Sequence, residues 1–450
     1  MTSTVFPSNL IIVLGLGQTG LSCVRFLLKR GCDIAIMDTR EQPPSLAEMH
    51  ADYPDIQVKT GGLDRDLIQQ AGMIVLSPGI DPRLPEIVEA QQAGIEIVGD
   101  IELFARYANA PIIAITGSNG KSTVTTLLAE MAIAAGKTVQ VGGNLGTAAL
   151  DLIIEPAPDF YIVELSSFQL ETVSSLNALA STVLNITADH LDRYDNEQAY
   201  HNAKARIFSG DGVMVINHDD ELVKQLAKHS RQQIGFSLNK DNGAELSVMD
   251  YDGDLWLSHH GKPLLAVTSL KVVGKHNIAN ALAALALGTA MTLAMTEMLS
   301  ALQQYQGLAH RCRLVLDYDG IRWFNDSKAT NVGACIAAIE ALVDSGKVIL
   351  IAGGVGKAQD FSALTPVVER DVRAVIVLGK AASLIAKVIP NTIPTYHVEL
   401  LTDAVLKAQS ISHAGDNVLL SPACASFDMF SDYQARGNAF EQAVQELLND

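Results

Sequence analysis

The sequence predicts an α/β protein of three domains, each built on a sheet of mainly parallel strands. Short apolar runs such as "LIIVLG", "PIIAITG" and "VIVLG" alternate along the chain with segments of helix length. Near-continuous apolar strands separated by helices are typical of parallel sheets that are covered on both faces. A chain of 450 residues, 48% of them hydrophobic, is too long for one ordinary domain and has ample material for several cores.

The first predicted domain, residues 1–99, begins with a strand that runs into a glycine turn. In "LIIVLGLGQTG" the strand precedes Gly15, Gly17 and Gly20, and Asp38 closes the next apolar run. This is the spacing of a dinucleotide-binding turn, so we expect a Rossmann-like domain. Taken alone, the turn is also compatible with an NAD-dependent dehydrogenase, although such an enzyme has no use for the second phosphate loop that follows.

The central predicted domain, residues 100–307, carries that second loop and is expected to be of the P-loop type. In "IIAITGSNGKST" a strand feeds a turn with Gly117 and Gly120, and Lys121 starts a helix. Backbone N–H groups and the dipole at a helix N-terminus favour bound phosphate. Ile115 stands where the first glycine of a full Walker motif belongs. The alternative is a plain Gly-Lys-Ser turn, but the flanking strand and helix favour a nucleoside triphosphate.

Polar side chains follow the next apolar strands of the central domain. Glu164 ends "YIVE", and His190 stands in "LNITADHLDRY". Ligands of parallel sheets sit at the carboxyl ends of the strands, and a carboxylate beside a triphosphate is a natural Mg²⁺ ligand. Either residue alone is more commonly a solvated or hydrogen-bonded group. Farther on, "AELSVMDYDGDLWLSHHGKPLLAV" alternates around an Asp-Gly turn, which predicts a small antiparallel sheet.

The third predicted domain, residues 308–450, returns to alternating strands and helices and is expected to be Rossmann-like. Its strands end in the polar loops "FNDSKATN", "IAGGVGKAQDF" and "LLSPACASFDMF". Each could be an ordinary loop. Three of them in one domain favour a ligand-binding edge.

Composition restricts the classes of function. A net charge of −18 argues against nucleic acid as a partner. Five cysteines without CxxC spacing predict reduced thiols rather than disulfides or a zinc site. The N-terminus has no basic region before its apolar run, and the longest apolar stretch, "IANALAALALGTAMTLAM", contains Asn280 and two threonines. We therefore expect a cytoplasmic protein with a buried helix there and no membrane span.

The assembled motifs resemble those of the Mur ligases of peptidoglycan synthesis over essentially the whole chain. They are, in order, "GSNGKST", "ELSSFQLE", "DHLDRY", "NAKARI", "GKHNIANALAA", "HR", "NDSKATN" and "SPACASFDMF". The resemblance implies a monomeric, ATP-dependent amide ligase that adds D-glutamate to UDP-N-acetylmuramoyl-L-alanine through an acyl phosphate. It also implies that the first domain holds uridine diphosphate rather than NAD. The alternatives are another Mur-type or folylpolyglutamate-type ligase and, more remotely, the dehydrogenase.

The resemblance further implies a set of substrate-binding residues. For the uridine substrate they are Leu16, Gln18, Thr19, Asp38, Thr39, Arg40, Ser77, Pro78, Gly79 and, along the sugar, Asn144. For ATP they are Gly117, Ser118, Asn119, Gly120, Lys121, Ser122, Thr123, Asn277, Asn280, Arg311 and Asp326. For D-glutamate they are Lys328, Thr330, Lys357, Ser426 and Tyr433. The sequence departs from the family pattern at Gln18, Val355 and Tyr433.

Two Mg²⁺ sites and three catalytic residues are implied in the same way. Ser122 and Glu164 would serve the first Mg²⁺, and His190 and Lys204 the second. The family's lysine at the position of Lys204 is carbamylated, which converts a cation into an oxygen donor. Lys121, His190 and Lys204 are therefore the expected catalytic residues.

Overall fold

The computed structural model describes residues 6, 9–187, 193–194, 196–227, 230–240, 242–272, 274–343, 346–356 and 359–448. These form two compact units, of which the first comprises Met1–Ala266 and Asn280–Leu302 and the second Val267–Ala279 and Gln303–Asp450. The described strands make three sheets, which confirms the predicted α/β class. None of the described helices is both long and apolar enough to cross a membrane.

The first sheet is parallel throughout. Its strands are β1 Ile11–Leu14, β2 Ile34–Asp38, β3 Gln57–Thr60, β4 Met73–Leu76 and β5 Glu96–Gly99. The accompanying helices are α1 Gln18–Leu28, α2 Leu46–Asp52, α3 Arg65–Ile68 and α4 Pro85–Gln92. The strand order is β3-β2-β1-β4-β5. The order reverses between β1 and β4, and such a switch point opens a crevice at the carboxyl ends of the strands.

The second sheet has nine described strands. They are β6 Ile112–Thr116, β7 Val139–Gly143, β8 Phe160–Glu164, β9 Ala180–Val183, β10 Val213–Asn217, β11 Gln233–Ser237, β12 Leu246–Tyr251, β13 Asp254–His259 and β14 Lys262–Ala266. Their order is β14-β13-β12-β11-β10-β9-β6-β8-β7. Strands β12 to β14 pair antiparallel, so the predicted antiparallel strands extend the parallel sheet at its edge. Asp252 and Gly253 join β12 to β13 with positive φ of 53° and 85°, as a tight hairpin turn requires.

The chain between residues 100 and 304 also forms helices and short 3-10 turns. The helices are α5 Asp100–Tyr107, α6 Lys121–Ala134, α7 Ser167–Leu170, α8 Glu197–Ala205, α9 Glu221–Gln225, α10 Lys275–Ala290 and α11 Met295–Gln304. The 3-10 turns are Ala149–Leu152, Arg206–Phe208 and Val267–Ser269. Residues 281–287 of α10 are at most 1% exposed, so most of the longest apolar stretch is a buried helix, as predicted. Its residues 291–294 lie beyond the end of α10.

The third sheet belongs to the second unit. Its strands are β15 Arg313–Tyr318, β16 Ile321–Asn325, β17 Val348–Gly353, β18 Val372–Leu378, β19 Thr395–His397 and β20 Asn417–Leu420, in the order β15-β16-β20-β17-β18-β19. Its helices are α12 Val332–Leu342, α13 Leu364–Asp371, α14 Ala382–Val388, α15 Leu401–Ile411 and α16 Tyr433–Glu446. Within this sheet β15 and β16 pair antiparallel, and the other described strand pairs are parallel. Along β17, Leu350 faces one core cluster and its neighbours Ile349 and Ile351 face the other, so helices cover both faces.

Candidate active site

The first sheet has a pocket at its switch point. The pocket has a volume of about 250 Å³ and lies where β1, β2 and β4 end. It is lined by Gly15, Gly17, Gln18, Thr19, Gly20, Thr39, Arg40, Ser77, Pro78, Gly79 and Ile80. Seven of the ten residues expected at the uridine substrate are among these, so the structure brings them together on one surface.

The glycine turn at the start of α1 is held by close backbone packing. A Cβ atom on Gly20 would overlap the carbonyl oxygen of Gly15, and Gly15 itself has a φ of +94°. The Ser77 hydroxyl donates a hydrogen bond of 2.9 Å to that same carbonyl oxygen. The turn is therefore fixed against the end of β4. The first residues of α1, whose N–H groups have no partner within the helix, are among those that line the pocket.

Asp38 has a structural task at the end of β2. Its fully buried carboxylate accepts hydrogen bonds from Leu16 N at 2.7 Å and from Arg40 Nη2 at 2.6 Å. Burial opposes ionisation, but the hydrogen bonds from Arg40 and Leu16 outweigh it and lower the pKa of Asp38. Asp38 does not line the pocket, whereas Arg40, half exposed, does. The described lining thus offers a cation and no carboxylate, which suits an anionic ligand better than the ribose of NAD.

The phosphate loop joins β6 to α6. Gly117 and Gly120 have positive φ of 157° and 83°, and a Cβ atom on Gly120 would collide with Asn280 Oδ1. Lys121, the first residue of α6, donates from Nζ to Gly117 O at 2.8 Å and Ser118 O at 3.0 Å. The lysine therefore lies over the loop, with its charge where phosphate would approach the helix N-terminus.

Residues after β9 brace this loop. Asn185 Oδ1 accepts from Asn119 N at 2.8 Å, and Asn185 Nδ2 donates to Asn119 O at 3.1 Å. The Ser118 hydroxyl lies 3.1 Å from Thr187 O and accepts from Thr187 N at 3.0 Å. Sequence reasoning missed Asn185 and Thr187, although both stand in "LNITADHLDRY", where polar and apolar residues alternate after β9. That alternation at the end of a strand is the signal by which they could have been found.

Glu164 stands beside the phosphate loop at the end of β8 and is 3% exposed. Its Oε2 accepts from Ser122 Oγ at 2.6 Å, and its Oε1 accepts from Asn144 Nδ2 at 2.8 Å. Asn144, expected along the sugar, is therefore in contact with the predicted metal ligand. Within the described residues no group of three or more His, Cys, Asp or Glu side chains could hold a metal ion. One carboxylate and one hydroxyl do fit Mg²⁺, which usually keeps waters and binds nucleotide phosphates as well.

Lys204 lies beneath the same loop. It is 2% exposed, and its Nζ lies 3.5 Å from Thr116 Oγ1 and 4.8 Å from the centre of the Tyr200 ring. The Tyr200 hydroxyl is 3.0 Å from Ser118 Oγ. Lys204 is thereby placed next to the end of β6, whereas His190, its expected partner at the second Mg²⁺, lies outside the described residues.

In the second unit, Asp326 follows β16 and is tightly held. Its Oδ1 accepts from Cys312 N at 3.1 Å and its Oδ2 from Ser421 Oγ at 2.8 Å. Burial raises the pKa of Asp326 to about 7, although these hydrogen bonds and the charge of Arg311 act in the opposite direction. Asn277 also belongs to the second unit, in α10, where its N–H donates to Gly274 O at 3.0 Å.

Two residues expected at D-glutamate are in contact with each other. Lys328 Nζ lies 3.9 Å from the centre of the Tyr433 ring, at the start of α16. Thr330 N donates to Lys328 O at 2.8 Å, and Ser426 is 2% exposed on the loop after β20. Lys357 lies outside the described residues. Lys328, Thr330 and Tyr433 thus form one group around the start of α16.

Arg436 is a buried residue of this region that sequence reasoning missed. Its Nη2 donates to Ser327 O at 2.7 Å and its Nη1 to Cys424 O at 3.1 Å. Burial lowers the pKa of Arg436 to about 10. The guanidinium ties together the two loops that carry Lys328 and Ser426. Nothing in the sequence distinguishes it from an exposed helical arginine.

Three family models match successive parts of the chain. The model described as "Mur ligase MurD-like, N-terminal domain" matches residues 9–99. The Mur ligase middle domain matches residues 115–288, and the Mur ligase glutamate ligase domain matches residues 310–424. Together the three models cover most of the chain, in the order in which the three sheets occur.

Curated relatives and solved structures agree with these models. The UDP-N-acetylmuramoylalanine–D-glutamate ligase of Nitrosococcus oceani is 52% identical over 439 residues, 97% of each chain. That of Pseudomonas aeruginosa is 49% identical over 448 residues, 99% of this chain and 100% of the relative. A pseudomurein peptide ligase type C from Methanothermus fervidus matches with a TM-score of 0.62 and 17% identity, over 98% of this chain and 100% of that one. The alanine ligase MurC from Thermotoga maritima matches with a TM-score of 0.61 and 20% identity, over the same shares. The solved structures establish a shared fold.

Proposed function

The chain belongs to the Mur ligase family, and we propose that it joins D-glutamate to UDP-N-acetylmuramoyl-L-alanine while converting ATP to ADP and phosphate. The observation that carries the proposal is identity of about half the residues, over nearly the full length, with ligases named for this reaction. The phosphate loop beside Glu164 and the anion-suited pocket of the first sheet supply the chemistry that such a reaction needs. The product is a precursor of peptidoglycan.

The uridine end of the substrate would occupy the pocket of the first sheet. Backbone N–H groups at the start of α1 favour the diphosphate, and Arg40 adds a positive charge at the pocket wall. Because Asp38 holds Arg40 by charge-assisted hydrogen bonds, the guanidinium is oriented before the substrate binds. We assign Leu16, Gln18, Thr19, Thr39, Ser77, Pro78 and Gly79 to the same site.

Phosphoryl transfer would take place at the phosphate loop. The alanine carboxylate attacks the γ-phosphorus of ATP, the bond to the β-phosphate oxygen breaks, and ADP leaves an acyl phosphate behind. Lys121 stabilises negative charge on the γ-phosphoryl oxygens, and the N-terminus of α6 holds the phosphates. Ser122 and Glu164 would hold Mg²⁺, which neutralises phosphate charge when bound. Asn144 fixes the orientation of Glu164 through its 2.8 Å hydrogen bond.

Lys204 would act as a carbamate. Addition of carbon dioxide to the amine, with loss of a proton, turns a buried cation into an oxygen donor that Mg²⁺ accepts. The burial of Lys204 supports this proposal, because an ammonium ion is costly to bury and a metal-paired carbamate is neutralised. We place His190 at the same second Mg²⁺ by its position in the sequence. A carbamate carbonyl signal from ¹³C-labelled bicarbonate, lost in Lys204→Ala, would test the modification.

Amide formation would follow at the loops of the second unit. The D-glutamate amine attacks the acyl carbon, phosphate leaves, and the amine loses a proton. Lys328 supplies a cation for a glutamate carboxylate, and Thr330, Lys357, Ser426 and Tyr433 are assigned to the same pocket. Asn277, Asn280, Arg311 and Asp326 are assigned to the remainder of ATP.

The experiment that tests the function is ADP formation by the full chain with ATP, Mg²⁺ and UDP-N-acetylmuramoyl-L-alanine. D-glutamate should support turnover, and L-glutamate should not. Turnover with another amino acid in place of D-glutamate would assign the chain to a sister Mur-type or folylpolyglutamate-type ligase. Reduction of NAD by a candidate alcohol, followed at 340 nm, would favour a dehydrogenase, which leaves Lys121 and Glu164 without a role.

Three further properties are part of the proposal. We place the domain boundaries at 99/100 and 307/308, between the sheets that the family models match in turn. We also propose that the enzyme acts in the cytoplasm as a monomer. Light scattering of the purified chain would measure a mass near 48.0 kDa for a monomer and twice that for a dimer.

A further inference from the structure

A direct contact joins the uridine pocket to the second sheet. The loop after β4, residues 77–83, forms one wall of the pocket and is called the rim loop here. Arg193, three residues after His190 in the chain, donates from Nη2 to Ile80 O of the rim loop at 3.0 Å. In return, Arg83 of the rim loop donates to Arg193 O. Both residues belong to the first unit.

The Arg193 side chain is held in one orientation. Its Nη2 also lies 2.9 Å from Glu171 Oε2, and the two side chains are only 12% and 16% exposed. The guanidinium sits 4.8 Å from the centre of the Phe168 ring. A mostly buried ion pair over an aromatic face is geometrically well defined, because loss of either partner leaves an uncompensated charge.

Beyond Phe168, aromatic rings continue to the phosphate loop. The ring centres of Phe168 and Tyr194 are 6.0 Å apart, and those of Tyr194 and Tyr200 are 5.4 Å apart. The Tyr200 hydroxyl then lies 3.0 Å from Ser118 Oγ in the phosphate loop. This aromatic column, Phe168–Tyr194–Tyr200, is a continuous packed connection between Arg193 and the place where ATP is expected.

We propose that Arg193 is a positioning residue for phosphoryl transfer, which sets the distance between the rim of the uridine pocket and the phosphate loop. This rests on the proposed function, in which one substrate is held by its uridine end in the first pocket and reacts at its other end with ATP. Such a substrate spans both sites, so their spacing decides whether its carboxylate meets the γ-phosphorus. A displacement of about 1 Å is enough to cost about 100-fold in rate. Arg193 itself is not among the residues that line the pocket of the first sheet.

The test compares three variants of the full chain. Arg193→Met removes the charge and both hydrogen bonds but keeps the length of the side chain. Arg193→Lys keeps the charge but cannot reach Ile80 O and Glu171 with a planar fork. Arg231→Met is the matched control, because Arg231 also binds backbone carbonyls, those of Phe208 at 2.6 Å and Gly212 at 3.1 Å. These contacts join segments next to β10 and β11 and do not reach the rim loop.

For each variant we would measure kcat, together with the Kd for UDP and for a non-hydrolysable ATP analogue. We expect Arg193→Met to lower kcat at least tenfold, with both Kd values within threefold of the unaltered chain. The kcat of Arg193→Lys should lie between those of Arg193→Met and the unaltered chain. Arg231→Met should keep kcat within threefold. This split distinguishes positioning from a general loss of folding, which would weaken both Kd values along with kcat.

Two results would overturn the proposal. The first is a kcat of Arg193→Met within threefold of the unaltered chain. The second is loss of UDP and ATP analogue binding in both Arg193 variants, because the arginine would then serve folding alone. Failure of the unaltered chain to form ADP with D-glutamate would instead refute the proposed function, and the two Kd values would still report on the sites themselves.

Discussion

Two glycine turns, at residues 15–20 and 117–120, lead from a buried parallel strand into a helix, yet they are equipped differently. The first leads into α1 at Gln18, and the carboxylate of the nearby Asp38 accepts hydrogen bonds from Leu16 N and Arg40. The second opens into α6 with Lys121, and the adjacent hydroxyl of Ser122 meets Glu164.

The comparison shows that the phosphate-binding backbone turn and the side chains suited to phosphoryl transfer are independent features. Both turns present N–H groups at a helix N-terminus, which is sufficient to hold phosphate. Only the second turn combines this with a lysine at the first helical position and with a carboxylate from a neighbouring strand. We therefore expect changes at the second turn to abolish turnover and changes at the first turn to weaken substrate binding.

The largest effect is expected at Lys121. Lys121→Ala removes the cation that we place at the γ-phosphoryl group. By analogy with an oxyanion-hole donor, its loss should cost about 3–4 kcal/mol of barrier. The value of kcat should fall several-hundred-fold or more, while the Kd for UDP stays unchanged. Steady-state ADP release and UDP calorimetry measure the two quantities. Turnover near that of the unaltered chain would remove Lys121 from the mechanism.

A somewhat smaller loss is expected for Glu164→Gln. The amide keeps the size of the side chain but removes the charge that Mg²⁺ favours, so kcat should fall about 100-fold and the Mg²⁺ requirement should rise at least tenfold. A Mg²⁺ titration of ADP formation measures both. As a matched control, Glu155→Gln changes an exposed glutamate and should leave the titration unaltered. An unchanged Mg²⁺ titration in Glu164→Gln would separate this carboxylate from the metal.

A substitution beside the first turn should raise KM for the uridine substrate. Arg40→Met removes a charge-assisted contact worth about 1.5–3 kcal/mol, so KM for the uridine substrate should rise roughly 10–100-fold. The value of kcat should stay within threefold. Arg65→Met is the control, since Arg65, in α3, is another half-exposed arginine and lies outside the pocket lining. A fall in kcat without a rise in KM would contradict the division of labour between the turns.

The smallest effect concerns the pH dependence of stability at Asp100, where the chain passes from the first sheet to the second. Asp100 begins α5 directly after β5, and its Oδ2 accepts from Gln169 Nε2 at 2.9 Å. Burial raises the pKa of Asp100 to about 6, against hydrogen bonds that lower it. Between the ordinary pKa of an aspartate and pH 6, the folded state therefore holds a proton that the unfolded chain has released. The protonated carboxyl stabilises the folded state, and this contribution is lost as the pH rises through 6.

Between pH 5 and pH 8 the loss at Asp100 amounts to about 1 kcal/mol of unfolding free energy. Asp100→Asn should lack this component, so its stability relative to the unaltered chain should increase over that range. Urea unfolding at several pH values measures the difference, with exposed Asp55→Asn as the control. If the stabilities of Asp100→Asn and the unaltered chain changed with pH in the same way, the pKa of the Asp100 carboxyl would not lie near 6 in the folded state.

Much of the fold was predictable because its signals are local. The apolar strands, both glycine turns and the hairpin at Asp252 and Gly253 are recognised from residue type and spacing alone. The continuity of that hairpin with the parallel sheet was not, because it depends on the pairing of β12 with β11 across a loop. The spacing also did not distinguish uridine diphosphate from NAD, because both nucleotides present the same diphosphate to the turn.

Within the candidate site, the sequence by itself predicted residues whose own chemistry would serve the reaction, such as Lys121 and Glu164, and the family resemblance added Arg40. Tertiary structure alone decided the residues that act through others. Asn185 braces the phosphate loop, Asp38 turns inward to hold Arg40, and Arg193 and Arg436 tie separate loops together. The physical reason is that a hydrogen bond between residues far apart in the chain leaves no periodic trace in the sequence, whereas a glycine turn or an apolar strand does.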